Sequence, residues 1–311
     1  MTELVSAAAQ LAILLALAPG VNGLIKRLKA TLQGRHGPPL LQGYADLMKL
    51  LRKDAVVSEH ATVVFRFAPL VYAAAICVAG LLVPVLWLPA PLGAFGDAIV
   101  VVGLFALARF ALALAALDTG SAFGGMGASR EVAVAALAEP ALLLAIFAVA
   151  WRTGGTDLSA ATVWMLGHEA AAVAPSQLLA IAALVIAVIA ETGRVPADNP
   201  DTHLELTMIH EGMLLEYSGR PLGALVWATL VKQTVLFALL IALFMPFGIA
   251  RSPQELAVSL AAFVMKLAAL AVLMAVIESS TAKLRILKVP ELLGAASALA
   301  GLALVSAVVV R

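Results

Sequence analysis

Residues 224–247 read ALVWATLVKQTVLFALLIALFMPF, an apolar run broken by a single charge at Lys232. Crossing the hydrocarbon core of a bilayer takes about 20 mostly apolar residues wound as an α-helix, and this run is long enough. Seven further runs of the same character lie near 4–24, 67–88, 98–117, 132–151, 177–193, 256–278 and 290–310. Pro84, Pro140 and Pro246 fall inside or at the ends of spans, where neighbouring helices can satisfy the freed carbonyls. The reading is an all-α integral membrane protein of about eight transmembrane helices, with residues 1–311 forming a single membrane domain. Composition agrees: 63% of the 311 residues are hydrophobic and 13% are charged, against about 25% charged in soluble domains.

Working outward, the loops set the orientation. Segments 25–66, 118–131, 194–223 and 279–289 hold 14 of the 20 basic residues, while the opposite side holds only Arg152, Arg251 and Arg311. The positive-inside tendency puts the first set in the cytoplasm, and both termini then face outward. The first run has Glu3 before its apolar core and Lys26, Arg27 and Lys29 after it. That order is the reverse of a cleaved signal, so the run reads as a retained membrane helix. A net charge of +1 excludes binding of nucleic acid through bulk basicity. Cys77 is the one cysteine, so no cysteine cluster can hold zinc or an iron–sulfur centre.

Two cytoplasmic loops are more than connectors. In the first, Gly34, Gly37, Pro38 and Pro39 break the backbone. Leu40, Leu41, Tyr44, Leu47, Met48, Leu50 and Leu51 then recur at helical spacing among Asp46, Lys49, Arg52 and Lys53, which suits an amphipathic helix at the interface. The plain alternative is a basic loop that only sets topology. The second loop, from Glu191 to Arg220, contains Asp198, Asp201, Glu205, Glu211 and Glu216. Pro196 and Pro200 keep 195–200 non-helical, and 203–216 reads as a helix with Leu204, Met208, Leu214 and Leu215 on its apolar face. Carboxylates pressed against a membrane domain are poised for proton exchange; a solvated acidic face is the alternative.

Several motifs fail on inspection. His168-Glu169 and His210-Glu211 open like a zinc-protease helix, but positions 172 and 214 are Ala and Leu rather than the second His. His203 and His210 stand about 10 Å apart along a helix, too far for one metal. FGGMGASRE at 123–131 lacks the strand of a dinucleotide site and the Lys of a P-loop, and reads as a tight loop. Inside the spans, Arg109, Glu139, Lys232 and Lys266 interrupt apolar text, and Asp118, Glu131, Glu191 and Glu278 lie near cytoplasmic ends. Each central charge costs about 2.5–3.5 kcal/mol on insertion scales and marks a protein interior or an ion path. Arg109 could pair with Glu139, and the lysines with acids of a partner subunit; purely structural ion pairs are the alternative.

Two stretches, GRHGPPLLQGYADLMKLLRKD at 34–54 and ETGRVPADNPDTHLELTMIHEGMLLEYSG at 191–219, resemble the hallmark loops of the complex I subunit 1 family. The second is closer to the formate hydrogenlyase subunit 4 branch, the membrane subunit of group 4 nickel–iron hydrogenases. The resemblance implies a membrane platform beneath a peripheral redox arm. Gly34, Arg35, Gly37, Pro38, Gln42, Asp46 and Lys49 would shape the junction with that arm, so that loops 25–66 and 194–223 meet it. Glu191, Arg194 and Asp198 match the acid-and-arginine loop after the fifth span, and Glu205 and Glu216 match acids of the next helix. With Glu211, Arg109, Glu139, Lys232 and Lys266 they make up the candidate ion-coupling set.

The implied role is ion coupling to proton or sodium translocation in the cytoplasmic membrane of a prokaryote. No cofactor is expected in this chain. A nickel–iron centre and iron–sulfur clusters would belong to hydrogenase-like large and small subunits and an iron–sulfur protein, with antiporter-like subunits beside it in the bilayer. Gly193-Arg194-Val195-Pro196-Ala197-Asp198 stands where complex I relatives have an Asn-Arg-Ala-Pro-Phe-Asp type run, which counts against a quinone site. The alternatives are a quinone-site subunit of a complex I-type NADH dehydrogenase and a stand-alone transporter.

Overall fold

A computed structural model describes residues 2–168, 173–198 and 208–309. Eleven α-helices are found among them: α1 (Thr2–Leu32), α2 (Gln42–Leu51), α3 (Val63–Leu82), α4 (Ala98–Asp118), α5 (Ala122–Ala150), α6 (Leu158–Gly167), α7 (Pro175–Glu191), α8 (His210–Leu214), α9 (Gly219–Phe244), α10 (Leu256–Ser280) and α11 (Val289–Val309). Every sequence-predicted span overlaps a helix, with 67–88 shifted toward the N-terminus as α3, which ends at Leu82. Seven of them (α1, α3, α4, α5, α9, α10 and α11) are long and apolar enough to cross a membrane. The eighth, α7, has 17 residues, about 26 Å of helix and the lower edge of what can span.

Three local readings are corrected. The 123–131 stretch is not a loop but the first turns of α5. Its glycines serve packing: a Cβ on Gly124 would stand 2.7 Å from the Ala116 carbonyl oxygen, and one on Gly127 3.0 Å from the Ile209 oxygen and Gly212. α1 runs past residue 24 to Leu32, because a helix does not stop where hydrocarbon stops and no glycine intervenes between Gly23 and Gly34. Of the helix expected over 203–216, residues 203–207 lie outside the described residues, and within 208–216 the helix covers His210–Leu214. α6 has no counterpart among the expected spans, since its ten apolar residues are too few to cross a bilayer. The amphipathic loop helix stands as α2, with Leu47 buried and Gln42, Asp46 and Lys49 exposed.

α9 lies at the centre and packs against α1, α3, α7 and α10, with α2 and α6 at its flanks. Its Val231–Phe244 segment is buried on every face, as expected of a helix apolar all round. The outer helices follow as α3 on α4, α4 on α5, and α11 against both α5 and α7. Loops gather at two ends. At one, the Leu88 and Ala250 amides reach the Ala250 and Leu86 carbonyls, and the Ala98 amide reaches the Thr156 carbonyl. At the other, Val56 N–H donates to Ser218 Oγ, Thr62 bonds Asp118, and the Leu284 amide donates to the Pro196 carbonyl.

The Val56–Ser218 bond docks loops 25–66 and 194–223 together. Gly219 has φ +55°, and a Cβ there would sit 2.3 Å from the Asp54 oxygen. The preceding Tyr217 stacks on Phe65, with centroids 3.9 Å apart, and donates to the Phe65 carbonyl at 2.8 Å. Burial, aided by Asp118, raises the Tyr217 phenol above its ordinary range and keeps it a donor. α1 contributes through Pro19. Proline has no N–H, so the Leu15 carbonyl four residues earlier loses its helical partner. The Trp227 indole N–H donates to that oxygen at 3.0 Å, and the Tyr44 hydroxyl of α2 donates to Ala16 O at 2.5 Å.

Candidate functional site: a buried row of charges

The first cluster forms where α4, α5, α7 and α9 meet. Glu131 and Glu139 are eight residues apart on α5, about 2.2 turns, so they lie about 80° apart on one broad face toward α4. Between them lies Arg109. Its Nη1 donates to Glu139, and its Nη2 donates to both oxygens of Glu191 at 2.7 and 2.5 Å. Glu131 Oε1 stands 3.6 Å from Arg109 Nε. Lys232 Nζ lies 2.8 Å from Glu191 Oε2, and 5.8 Å from the centre of the Phe105 ring. The Glu191 side chain is 1% exposed, and those of Arg109 and Lys232 are each 6% exposed. Three carboxylates and two cations thus share an interior where an unpaired charge would be costly.

The second cluster begins three residues after Glu191 because of how α7 ends. Gly193 takes φ +59°, its amide bonds the Ala190 carbonyl, and the Arg194 amide reaches back to Ile189. This pair of bonds is the Schellman closure that glycine permits. It turns the chain so that Arg194 faces α1, α9 and α10. The guanidinium donates to Glu278 Oε1 at 2.7 Å, Asn22 Oδ1 at 2.6 Å and Gln233 Oε1 at 2.7 Å. Glu278 Oε2 also pairs with Lys29 at 3.0 Å. Farther along, Asp198 is buried and pairs with Lys283 at 2.9 Å. Lys232 and Gln233 are adjacent on α9, so one helix serves both clusters.

A cavity of about 340 Å³ opens beside the second cluster. Lys26, Arg194, Asp198, His210, Glu211 and Glu278 are among its walls, with Leu214, Val226 and Leu230 as apolar patches. A quinone headgroup and its prenyl tail require a largely apolar slot. The walls this chain supplies are mixed, charged at Lys26, Arg194, Asp198, Glu211 and Glu278 and apolar at Leu214, Val226 and Leu230. Among the described residues no group of three or more His, Cys, Asp and Glu is arranged to hold a metal.

Most of the sequence-predicted residues are brought together. Arg109, Glu139, Glu191 and Lys232 make the first cluster, and Lys232 finds its carboxylate inside this chain rather than on a partner. Arg194, Asp198 and Glu211 belong to the second cluster or its cavity. Glu216 is half-buried outside both, and Glu205 lies outside the described residues. Lys266 stands apart: it bonds the Phe247 carbonyl and sits 4.1 Å from the centre of that ring. Gly34, Arg35, Gln42, Asp46 and Lys49 are exposed, while Gly37 and Pro38 are half-buried; Gly37 is pressed against Arg27. Glu131, Glu278, Lys29, Asn22, Gln233 and His210 belong to the clusters or their cavity without being in the coupling set that sequence reasoning gives. The eight-residue spacing of Glu131 and Glu139 is visible in the sequence, and Gln233 follows Lys232 in an otherwise apolar run.

The family model described as NADH dehydrogenase matches residues 5–310. The chain belongs to the NADH dehydrogenase family. Within the family it is 35% identical over 303 residues to formate hydrogenlyase subunit 4 of Escherichia coli K12, covering 96% of each chain. It is 34% identical to hydrogenase-4 component C of the same organism, covering 96% of this chain and 93% of that one. A NADH-quinone oxidoreductase subunit of Syntrophobacter fumaroxidans is 30% identical over 251 residues, 76% of this chain and 74% of that one. The fold matches a chain in the solved structure of the membrane-bound sulfane sulfur reductase, an archaeal respiratory membrane complex. There the TM-score is 0.85 at 21% identity, covering 99% of this chain and 100% of that chain. This NADH dehydrogenase family chain is therefore a complex I-like membrane subunit.

Proposed function

We propose that this chain is the membrane-anchoring, ion-coupling subunit of a formate hydrogenlyase-type or related group 4 hydrogenase complex. It sits in the cytoplasmic membrane of a prokaryote with both termini outside. Loops 25–66 and 194–223 meet the peripheral arm, presenting Gly34, Arg35, Gly37, Pro38, Gln42, Asp46 and Lys49. A nickel–iron centre and iron–sulfur clusters in partner subunits supply the redox chemistry; this chain's residues hold and move charge. The supporting observation is the buried row from Glu139 through Arg109, Glu191 and Lys232, adjoining Gln233, Arg194, Glu278 and Lys29 at a polar cavity. An anchor alone would be more stable without it, since well-packed apolar residues often replace buried ion pairs at no cost.

Carboxylates at the cavity, Glu211 and Glu278, exchange protons as the peripheral arm turns over. Arg194 and Lys232, held against those carboxylates and their neighbours, pass the change in charge to Arg109 and Glu139. The lower identity to the NADH-quinone oxidoreductase relatives and the charged cavity walls favour this reading over a quinone site.

The test uses Glu139→Gln and Glu278→Gln in the assembled complex within inverted membrane vesicles. Redox turnover is followed as H2 formed from reduced methyl viologen. Ion movement is followed by quenching of a pH-sensitive dye and by uptake of radioactive sodium. Turnover should persist while ion movement is lost. Undiminished ion movement in both variants would refute the assignment.

A further inference from the structure

We propose that His210 and Glu131 form a protonation-dependent contact that transmits the state of the polar cavity to the Arg109 cluster. This rests on the ion-coupling reading above and adds two positioning residues to it. One proton arrangement serves every contact at Thr229 and identifies the nitrogen of His210 that acts as the switch. Thr229 Oγ1 has one proton, which in this arrangement goes to the Leu225 carbonyl at 2.9 Å. Its other two neighbours, the Tyr72 hydroxyl and His210 Nε2, each lie at 3.2 Å and then donate to it. Nε2 therefore carries hydrogen in both the neutral and the charged ring. Nδ1 is left as the nitrogen whose protonation changes, and it faces Glu131 Oε1 at 4.0 Å.

The same Glu131 oxygen is 3.6 Å from Arg109 Nε, a buried N–H with no hydrogen-bond acceptor among the described residues. Oε1 thus stands between two nitrogens and within bonding range of neither. Since a normal N–H···O contact is about 2.9 Å, a shift of about 1 Å settles it on one or the other. With His210 neutral, Nδ1 is an acceptor and repels the carboxylate, leaving Glu131 to Arg109. When Nδ1 takes a proton from the cavity, the imidazolium draws Glu131 away. Arg109 then loses negative charge on one side and leans more on Glu139 and Glu191.

Among the described residues, several elements contribute charged or titratable groups to the surroundings of this ring. Tyr72 faces it from α3, with ring centres 6.5 Å apart. Glu131 faces it from α5, with Arg109 of α4 behind. Lys26, Lys29, Arg194, Asp198, Glu211 and Glu278 share its cavity. An imidazole is the side chain that ordinarily changes charge nearest neutral pH, so a ring placed between a cavity and a carboxylate suits this role. Its position is also built: Gly127 and Gly212 bring α5 and α8 into backbone contact, with a Cβ on Gly127 lying 3.1 Å from Gly212 Cα.

The experiment measures ions moved per redox turnover in vesicles holding the assembled complex, from about pH 6 to 8, where an imidazole changes charge. His210→Gln retains a donor toward Thr229 but cannot become a cation; Glu131→Gln removes the other partner. Each should lower the ratio about five-fold or more, the lower end of site-to-site coupling, and flatten its pH profile. The double variant should be no worse than either single. A wild-type pH profile in either single variant overturns the proposal. If neither variant assembles, the pair is structural and the proposal is likewise overturned. Glu139→Gln and Glu278→Gln separate the two ideas. If they stop ion movement and His210→Gln does not, only this contact fails. If they leave ion movement intact, the coupling function itself fails.

Discussion

Replacing Glu191 with Gln should destabilise the protein, and replacing Lys232 with Met in the same chain should restore much of the loss. Glu191 is the one carboxylate in contact with Lys232 among the described residues, at 2.8 Å, whereas Arg109 also has Glu139 and Glu131. Glu191→Gln therefore strands a buried lysine ammonium beside the Phe105 ring. Breaking a buried pair from one side costs about 3–5 kcal/mol. The Gln carbonyl still accepts hydrogen bonds, which puts the loss near 3 kcal/mol. Lys232→Met alone leaves Glu191 gripped by both Nη2 contacts of Arg109 and should cost about 1–2 kcal/mol, near one charge-assisted bond. The double variant has no stranded cation, so its loss should match Lys232→Met rather than the sum. Heating the detergent-solubilised complex and immunoblotting the soluble chain reads this directly. At roughly 2 °C per kcal/mol for a chain of this size, Glu191→Gln should aggregate about 6 °C early and the double variant within about 3 °C of wild type. A double variant that aggregates earlier than Glu191→Gln would refute the reasoning, because Lys232 would then have a role independent of Glu191.

Arg194→Lys should keep the charge and lose the coupling: an ammonium cannot hold the planar set of Asn22, Gln233 and Glu278 oxygens that the guanidinium reaches. Ion movement per turnover should drop about ten-fold in inverted vesicles, equivalent to about 1.4 kcal/mol of lost hydrogen bonding, with the complex still assembled; unchanged ion movement would show that charge alone suffices. Gly219→Ala meets both a positive φ and the Asp54 oxygen at 2.3 Å, and should leave little chain in the membrane fraction by immunoblot. Gly103→Ala, with nothing within 4 Å of the new methyl, is the matched control and should accumulate normally.

The helices are legible because lipid imposes one demand, length and apolarity, that hydropathy reads directly. What escapes is whatever depends on a neighbour. FGGMGASRE reads as a loop because three glycines weaken a helix in isolation. Packed between α4 and α8 they are what lets the backbones meet, and tertiary contact overrides propensity. Glu131 then falls onto the face it shares with Glu139, a relation invisible while 123–131 counts as a turn. The pairing of Arg109 with Glu139 follows from opposite charges in adjacent spans. The three-acceptor hold on Arg194 does not, since Asn22, Gln233 and Glu278 come from helices remote in sequence. Pro19 is equally silent: only the folded chain shows Trp227 and Tyr44 bonding to carbonyls of the turn before it.

Besides the His210–Glu131 contact, the two clusters meet through α9 and the end of α7. On α9, Lys232 and Gln233 differ by about 100° around the axis, so the first faces Glu191 and the second faces Arg194. On α7, Glu191 and Arg194 are three residues apart but separated by the Gly193 turn, which sends them into different clusters. A shift of α9 or of this turn therefore alters both sets of contacts together. Such shared elements would let the proposed coupling pass from one cluster to the other. The glycine matters as much as the charges. An L side chain at φ +59° would strain the turn, and loosening it would let Arg194 move without Glu191, leaving the clusters chemically intact but mechanically separate.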